Sequence, residues 1–272
     1  MKKLNLSDVK LIELSLLIKV DKLCREHNIK YGLAGGSLLG AIRHKGFIPW
    51  DDDIDLFMPR ESYEKFISIC KIDSNIQIKH CWNDKEYCYT FAKVIAPGTV
   101  ICEKVAHVDN KANEICIDIF PVDNCGNSKI IAIFHVFKYM ILKYLLVGSS
   151  WQKFVRNENK SMIREIWRFV FFLLGRCVSA NALAKFLDKQ YRTNNVKKTK
   201  YSVCFSGVYG LREIFKTDDY FDFVEYEFEN LRFYSMRKYD EYLRSFYGEY
   251  MKLPSLEKRN NPHIFAAYDL NE

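Results

Sequence analysis

The stretch GGSLLGAIRHKGFIPWDDDIDLFMPR, Gly35 to Arg60, decides how this chain reads. A small-residue turn comes first, a basic loop follows, and a run of carboxylates then enters an apolar strand. Successive side chains along a strand point to opposite faces, so Asp53 and Asp55 share one face and Ile54 and Leu56 the other. Two neighbouring carboxylates repel each other and are costly to desolvate. A divalent cation resolves that conflict. Hard oxygen ligands suit Mg²⁺, with Mn²⁺ as a substitute, and Mg²⁺ usually keeps water and takes phosphate oxygens as its other ligands. Upstream, Gly35 and Gly36 turn the chain from a short strand, 31–34, into a short helix, 37–44. A helix N-terminus offers free N–H groups and the positive end of a dipole, glycine lets a ligand come close, and Ser37 adds a hydroxyl. Alone, the acidic pair would read as a solvated turn after Pro49, and Gly36–Ser37 as a plain strand-to-helix turn. Side by side they read as one phosphate and metal site.

Outward from this block, apolar spacing predicts a helix over 6–27 with Ser7 as its cap, and Ser62 is expected to cap a helix running to about Ile69. Alternation predicts strands over 76–80, 87–95, 99–103 and 115–120, with a turn at Pro97–Gly98. In the last strand Ile115, Ile117 and Ile119 share one face, and Cys116, Asp118 and Phe120 share the other. Asp118 is a lone carboxylate there, so it lies exposed at the strand end or joins a charged site, with Asp123 as the second candidate. Residues 129–194 read as helices. Ile130 to Val147 is strongly apolar but contains His135, Lys138 and Lys143, and 166–174 is too short to span a membrane. The reading is a helical insertion covering the sheet. The alternatives are two helices lying on a membrane surface, with cations at the headgroups, or a spanning helix. Residues 220–229 alternate as a half-exposed strand or hairpin, and 239–250 form a helix ending near Gly248. The fold expected is α+β, a mixed sheet flanked by helices. Its parts are a catalytic core over 1–128, a helical insertion over 129–200, and a C-terminal segment, 201–272, returning to the active site.

With 272 residues and 49% hydrophobic content, the chain can bury a full core and is not disordered. Its net charge of +7 forms no basic tail or stripe, which argues against nucleic acid and is compatible with an anionic substrate or a phospholipid surface. Nine cysteines show no C-x-x-C and no zinc-ligand spacing, so they read as reduced thiols of a cytoplasmic protein. Met1-Lys2-Lys3 leads into an amphipathic stretch carrying Asp8, Lys10 and Glu13, which is no signal peptide.

Three blocks occur in order: GGSLLGAIRHKGFIPWDDDIDLFMPRESYEKF (35–66), ICIDIFPVD (115–123) and KYDEYLRSFYGEYMKLPSLEKRNNPH (238–263). Together they resemble the LicD family of phosphotransferases, which includes the fukutin-related proteins and belongs to the nucleotidyltransferase superfamily. The resemblance implies a nucleotidyltransferase-like sheet and Mg²⁺-dependent movement of a phospho-alcohol from a CDP-activated donor. It makes Asp118 the third carboxylate, beside Asp53 and Asp55, of a catalytic metal site. Gly36, Ser37, Arg43 and Lys93 are then expected at the donor phosphates. Lys258 and Arg259 join them or form an exposed basic turn. His44, Lys45, Trp50, Asp51 and Asp52 form the substrate loop, with His44 an exposed loop histidine by default or else a group titrating near neutrality, and Trp50 packing beneath the loop. Phosphocholine from CDP-choline is the group expected, delivered to a cell-surface glycan (lipopolysaccharide, teichoic acid or capsule) or its lipid-linked form. The place is the cytoplasm or the inner face of its membrane. Quaternary ammonium groups bind aromatic faces, and Trp82, Tyr87 and Tyr89 lie between the blocks. The alternatives are transfer of ribitol or glycerol phosphate from the CDP-polyol, nucleotidyl transfer with pyrophosphate release, and a non-catalytic nucleotide-binding protein.

Overall fold

A computed structural model describes all residues except 73–74, 104–110, 158–159, 260–263 and 272, and leaves out the side chains of 103, 111–112, 258 and 264–265. The chain runs β1 (Lys2–Leu4), α1 (Leu6–Glu26), β2 (Gly32–Leu33), α2 (Gly35–His44), β3 (Asp55–Pro59) and α3 (Arg60–Cys70). Then come β4 (Gln77–Lys79), β5 (Ala92–Ile95), β6 (Thr99–Glu103), β7 (Lys111–Asn113) and β8 (Cys116–Gly126). Three helices follow: α4 (Lys129–Ser150), α5 (Met162–Gly175) and α6 (Ala180–Arg192). The chain closes with β9 (Tyr201–Val203), β10 (Phe215–Lys216), α7 (Thr217–Tyr220), β11 (Phe223–Phe228), β12 (Leu231–Met236), α8 (Tyr239–Tyr247) and β13 (Ile264–Asp269). The class is α+β, a mixed sheet flanked by helices.

The long strand β8 organises the main sheet, whose order is β10-β9-β8-β3-β2 with β5 and β4 branching from β8. One edge of β8 pairs in parallel with β3. The other edge pairs first with β5 and then, from Asp123 on, with β9, the register of that second pairing shifting between Asn124 and Gly126. A smaller sheet, β1-β13-β6-β7, brings the two chain ends together. The β11–β12 hairpin turns through Glu229 and Asn230, both at positive φ, as a two-residue turn between right-twisted strands requires.

Helix α1 buries Val9, Leu16, Leu17, Val20 and Leu23 against Leu56 and Met58 of β3 and Ile117 and Ile119 of β8, within one core cluster. A second cluster joins Val136 and Tyr139 of α4 to Leu183, Leu187 and Tyr191 of α6 and to Phe205. Between them sits a buried ion network. Arg60 donates to both oxygens of Asp123 (2.6 and 2.8 Å) and to Asp188 (2.8 Å). This pairing ties α3, β8 and α6 together. It also removes Asp123 from the list of site candidates, because both its oxygens are already spoken for by a cation.

Local signals mark several boundaries differently from the sequence expectation. Asn5, not Ser7, caps α1, in a reciprocal capping box with Asp8. Helix α3 begins at Arg60 behind Pro59, two residues before Ser62. Residues 87–91 carry no strand; their rings pack in a chain instead, Tyr87 to Tyr89 to Phe91 to Phe120, at centroid spacings of 5.3, 5.1 and 4.5 Å. Strand β7 carried no alternation long enough to predict it. Strand β3 starts at Asp55, so Asp53 precedes it, and α8 stops at Tyr247 with Gly248 at positive φ.

Candidate active site

The register of the sheet assembles the site. Asp55 on β3 lies directly opposite Asp118 on β8, and Lys93 on β5 lies opposite Asp118 from the other side. Residues directly opposite on neighbouring strands point to the same face, so the three form a row across the sheet. Lys93 Nζ donates to Asp118 Oδ1 at 2.7 Å. Burial alone would pull the Lys93 ammonium down, but Asp118, Cys116 and Tyr89 together outweigh it and hold the group well above the usual lysine range.

Carboxylates crowd the near end of this row. Glu13, Asp52, Asp53 and Asp118 line a cavity of about 250 Å³ together with Tyr89, Phe91 and Lys93. Burial, then Asp53 and Asp118, push the Asp55 carboxyl well above its ordinary value. Asp53 opens to the solvent of the cavity, yet the enclosing protein, and then Asp51, Asp52 and Asp118, push it up to about 8. Asp53 and Asp55 thus resist ionising here, which is the condition that a bound cation relieves.

Glu13 was not anticipated. It is 2% exposed, its Oε2 has no hydrogen-bond partner, and burial together with Asp53 and Asp52 raises it well above the ordinary range. The signal was present in the sequence. Glu13 falls on the apolar stripe of α1, Val9-Glu13-Leu16-Val20, where a carboxylate is paired or functional. Glu114 also lines the cavity, ion-paired to Lys79 at 2.6 Å.

A second, larger cavity of about 980 Å³ adjoins the start of α2 and is lined by Gly36, Arg43, Trp50, Asp51, Tyr250 and Arg259 among others. Arg259 lies over the Trp50 ring at 5.5 Å, and Arg43 Nη1 donates to the Tyr250 carbonyl at 2.6 Å. Burial, then the like charge of Arg259, lowers Arg43. Two guanidiniums that disfavour each other suit an anionic ligand between them. Trp50 thus packs on the core and faces the cavity as well.

Helix α2 lines the larger cavity through Gly36, Leu39 and Arg43. Gly35, at φ +48°, starts the helix; a Cβ there would lie 3.1 Å from Asp55 Oδ2 on a backbone that favours glycine. Ser37 is buried and its Oγ accepts from the Asp55 N–H at 2.8 Å, tethering β3 to the helix. Lys10 Nζ donates to the Ile48 and Pro49 carbonyls, both at 3.0 Å, pinning the basic loop to α1. Burial, then Arg43 and Lys10, lower His44 from its ordinary value, and its Nε2 accepts from Arg43 Nε at 2.9 Å. Lys45 is exposed at the end of α2 and lines neither cavity. The Lys258 side chain lies outside the described residues.

Of the three aromatic residues expected near the donor, Tyr89 lines the acidic cavity. Tyr87 is buried in the second core cluster, and Trp82 donates to Asp188 far along the ion network. Phe91 stands where they do not. Among the described residues, His80, Cys81 and Asp188 also approach one another closely enough to share a metal. Arg60 and Arg192 already neutralise Asp188, so that cluster does not call for a cation. All nine cysteines are free thiols.

A family model for the LicD/FKTN/FKRP nucleotidyltransferase domain matches residues 28–140. The chain is similar to the lipopolysaccharide cholinephosphotransferase LicD of Haemophilus influenzae, with 32% identity over 277 residues, 99% of this chain and 100% of that protein. It is also similar to an uncharacterised protein of Rickettsia prowazekii, at 37% identity over 26% of this chain and 34% of the other.

Proposed function

This chain belongs to the LicD family, and we propose that it transfers phosphocholine from CDP-choline to a hydroxyl of a lipopolysaccharide-type glycan, releasing CMP. The observation that carries this reading is the row Asp55–Asp118–Lys93, flanked by Asp53 and opening beside the Arg43–Arg259 cavity. Phosphoryl transfer needs positioning and charge neutralisation more than covalent help. The acceptor oxygen attacks the choline-bearing phosphorus in line, the bond to the bridging oxygen breaks, and CMP departs with the electron pair. Asp118, held at Oδ1 by Lys93, takes the acceptor proton. Arg43 and Arg259, with the start of α2 at Gly36, hold the donor phosphates, while Ser37, buried and tied to the Asp55 N–H, positions β3 beneath them, and Lys258 follows in the same segment.

The donor set fits a hard cation. Asp53, Asp55, Asp118 and Glu13 offer only oxygens, and Glu13 Oε2 has no other partner. Bound there, Mg²⁺ or Mn²⁺ would neutralise the diphosphate and the departing nucleotide. Tyr89 and Phe91 give this acidic cavity aromatic faces of the kind a quaternary ammonium uses, and Lys93 Nζ already lies 5.8 and 5.7 Å from their ring centres. The relative's printed activity supports the same choice. A glycan precursor assembled at the inner face of the cytoplasmic membrane is the acceptor this placement suits.

Two measurements test the reading. CMP release is assayed with CDP-choline, CDP-ribitol and CDP-glycerol in the presence of lipopolysaccharide, with Mg²⁺ and with EDTA. Metal-dependent CMP from CDP-choline is expected; pyrophosphate from CTP and an alcohol phosphate would replace the reading with nucleotidyl transfer. Glu13→Gln mimics the protonated acid, so its melting temperature in EDTA should not fall below that of wild type. Its Mg²⁺ affinity by calorimetry should drop roughly tenfold or more. A lower melting temperature with unchanged Mg²⁺ affinity would make Glu13 a packing residue only.

A further inference from the structure

We propose that the outer faces of α4 and α5 dock this protein on an anionic phospholipid bilayer. Helix α4 carries two apolar stripes where a core helix needs one. Its inner stripe, Ala132, Val136, Tyr139 and Leu146, is buried. Its outer stripe, Ile130, Phe134, Phe137, Ile141 and Tyr144, repeats at four- and three-residue spacing and is exposed, Phe134 by 66%. On α5 only Glu165 and Gly175 are buried, while Met162, Ile163, Ile166, Trp167, Leu173 and Leu174 face solvent, Trp167 by 59%. Monomers in water rarely expose contiguous apolar surface on this scale.

The exposed face is built and held. A Cβ on Gly148 would come 2.4 Å from the Phe171 carbonyl oxygen, and one on Gly175 2.5 Å from the Ser149 nitrogen. Small residues at that crossing let the two backbones meet, so α5 is pressed onto α4. A groove of about 880 Å³ between them is lined by Ile141, Tyr144 and Trp167 and by Lys160, Arg164 and Arg168.

Charge identifies the occupant. Residues 129–178 hold nine Lys and Arg against Glu158 and Glu165, a net +7 that equals the charge of the whole chain. A second copy would bring nine cations against nine, which disfavours self-association through this face. An anionic lipid surface meets both the cations and the apolar stripe, and Trp and Tyr suit the boundary between headgroup and tail. Helix α4 is long and apolar enough to cross a membrane. It lies on one instead, because Lys143 donates inward to the Phe205 and Ser206 carbonyls (3.2 and 2.9 Å) and its inner stripe packs on α6.

The test is co-sedimentation of the full chain with vesicles of phosphatidylcholine, with and without phosphatidylglycerol. Wild type is expected to pellet with the mixed vesicles and to be released by salt. The Lys160→Glu/Arg164→Glu pair should weaken binding by at least roughly fivefold for each cation removed. Ile163→Glu/Ile166→Glu should abolish it, with the melting temperature unchanged in both pairs. Equal pelleting of wild type and variants would overturn the proposal, as would no pelleting at all. A concentration-dependent dimer in light scattering that Ile163→Glu/Ile166→Glu makes monomeric would assign the face to a second copy and overturn it too. Vesicle binding is read without any transfer reaction, so this proposal and the phosphocholine reading fail separately.

Discussion

Asp53→Asn is expected to lower CMP release by roughly 10²–10³-fold, the usual loss when one preorganised charge-stabilising group is removed, and to raise the melting temperature of the EDTA-treated protein. The two effects have one cause. Burial, then Asp51, Asp52 and Asp118, push the Asp53 carboxyl up to about 8 against the lowering pull of Lys93. Its folded value is raised above the ordinary 3.8, so the folded state holds the proton longer than the unfolded chain does. Metal-free stability therefore falls as pH rises from about 4 to about 8. Removing the charge relieves that loss, so the gap between variant and wild type opens over this window and closes below it. Solvent in the cavity screens the repulsion to about 1 kcal/mol, or about 2–4 °C for a chain of this size. Calorimetry at several pH values, with EDTA and with excess Mg²⁺, reads both signs: Mg²⁺ should stabilise wild type more than the variant. A variant that melts lower than wild type in EDTA at every pH would mean that Asp53 supports the fold and not a cation site.

Arg60→Met should cost about 3–5 kcal/mol of stability, because it leaves the buried Asp123 without its cation and Asp188 with Arg192 alone. Asp123 is 0% exposed and receives both the Nε and Nη2 bonds of Arg60, and Asp188 receives Nη1. The melting temperature should fall by about 10 °C. The triple variant Arg60→Met/Asp123→Asn/Asp188→Asn should recover a large part of that loss, since a neutral cluster pays no charge penalty. Equal destabilisation of the single and triple variants would show that the shape of the network matters more than its charge. CMP release below the melting transition should persist in the single variant, because Asp123 lies at the opposite end of β8 from Asp118.

Some parts of the fold were legible locally. The strand-turn-helix at Gly35, the acids entering β3, and the helices of 129–194 follow from period-two and period-3.6 patterns, which act over a few residues. Errors arose where a local competitor won. Asn5 outcompeted Ser7 because it could form a reciprocal box with Asp8. The alternating run 87–91 stacked its rings on Phe120 and formed no ladder. His44 read as an exposed loop histidine, but the fold half-buries it beside Arg43 and Lys10.

The sequence by itself determined that Asp53 and Asp55 lie two residues apart where an apolar strand begins, behind a glycine turn that opens a helix. It also determined that the whole net charge of the chain sits in one apolar helical segment. Only the tertiary structure decided which of Asp118 and Asp123 faces Asp55. Both lie on β8; pairing with β3 set Asp118 opposite Asp55, and packing of α3 gave Asp123 to Arg60. It also brought Glu13 in from a helix some forty residues earlier in the chain, and set Lys93 across the strand. The reason is physical: periodicity tells a side chain which face it occupies, while strand pairing and helix packing between distant segments choose what it meets there.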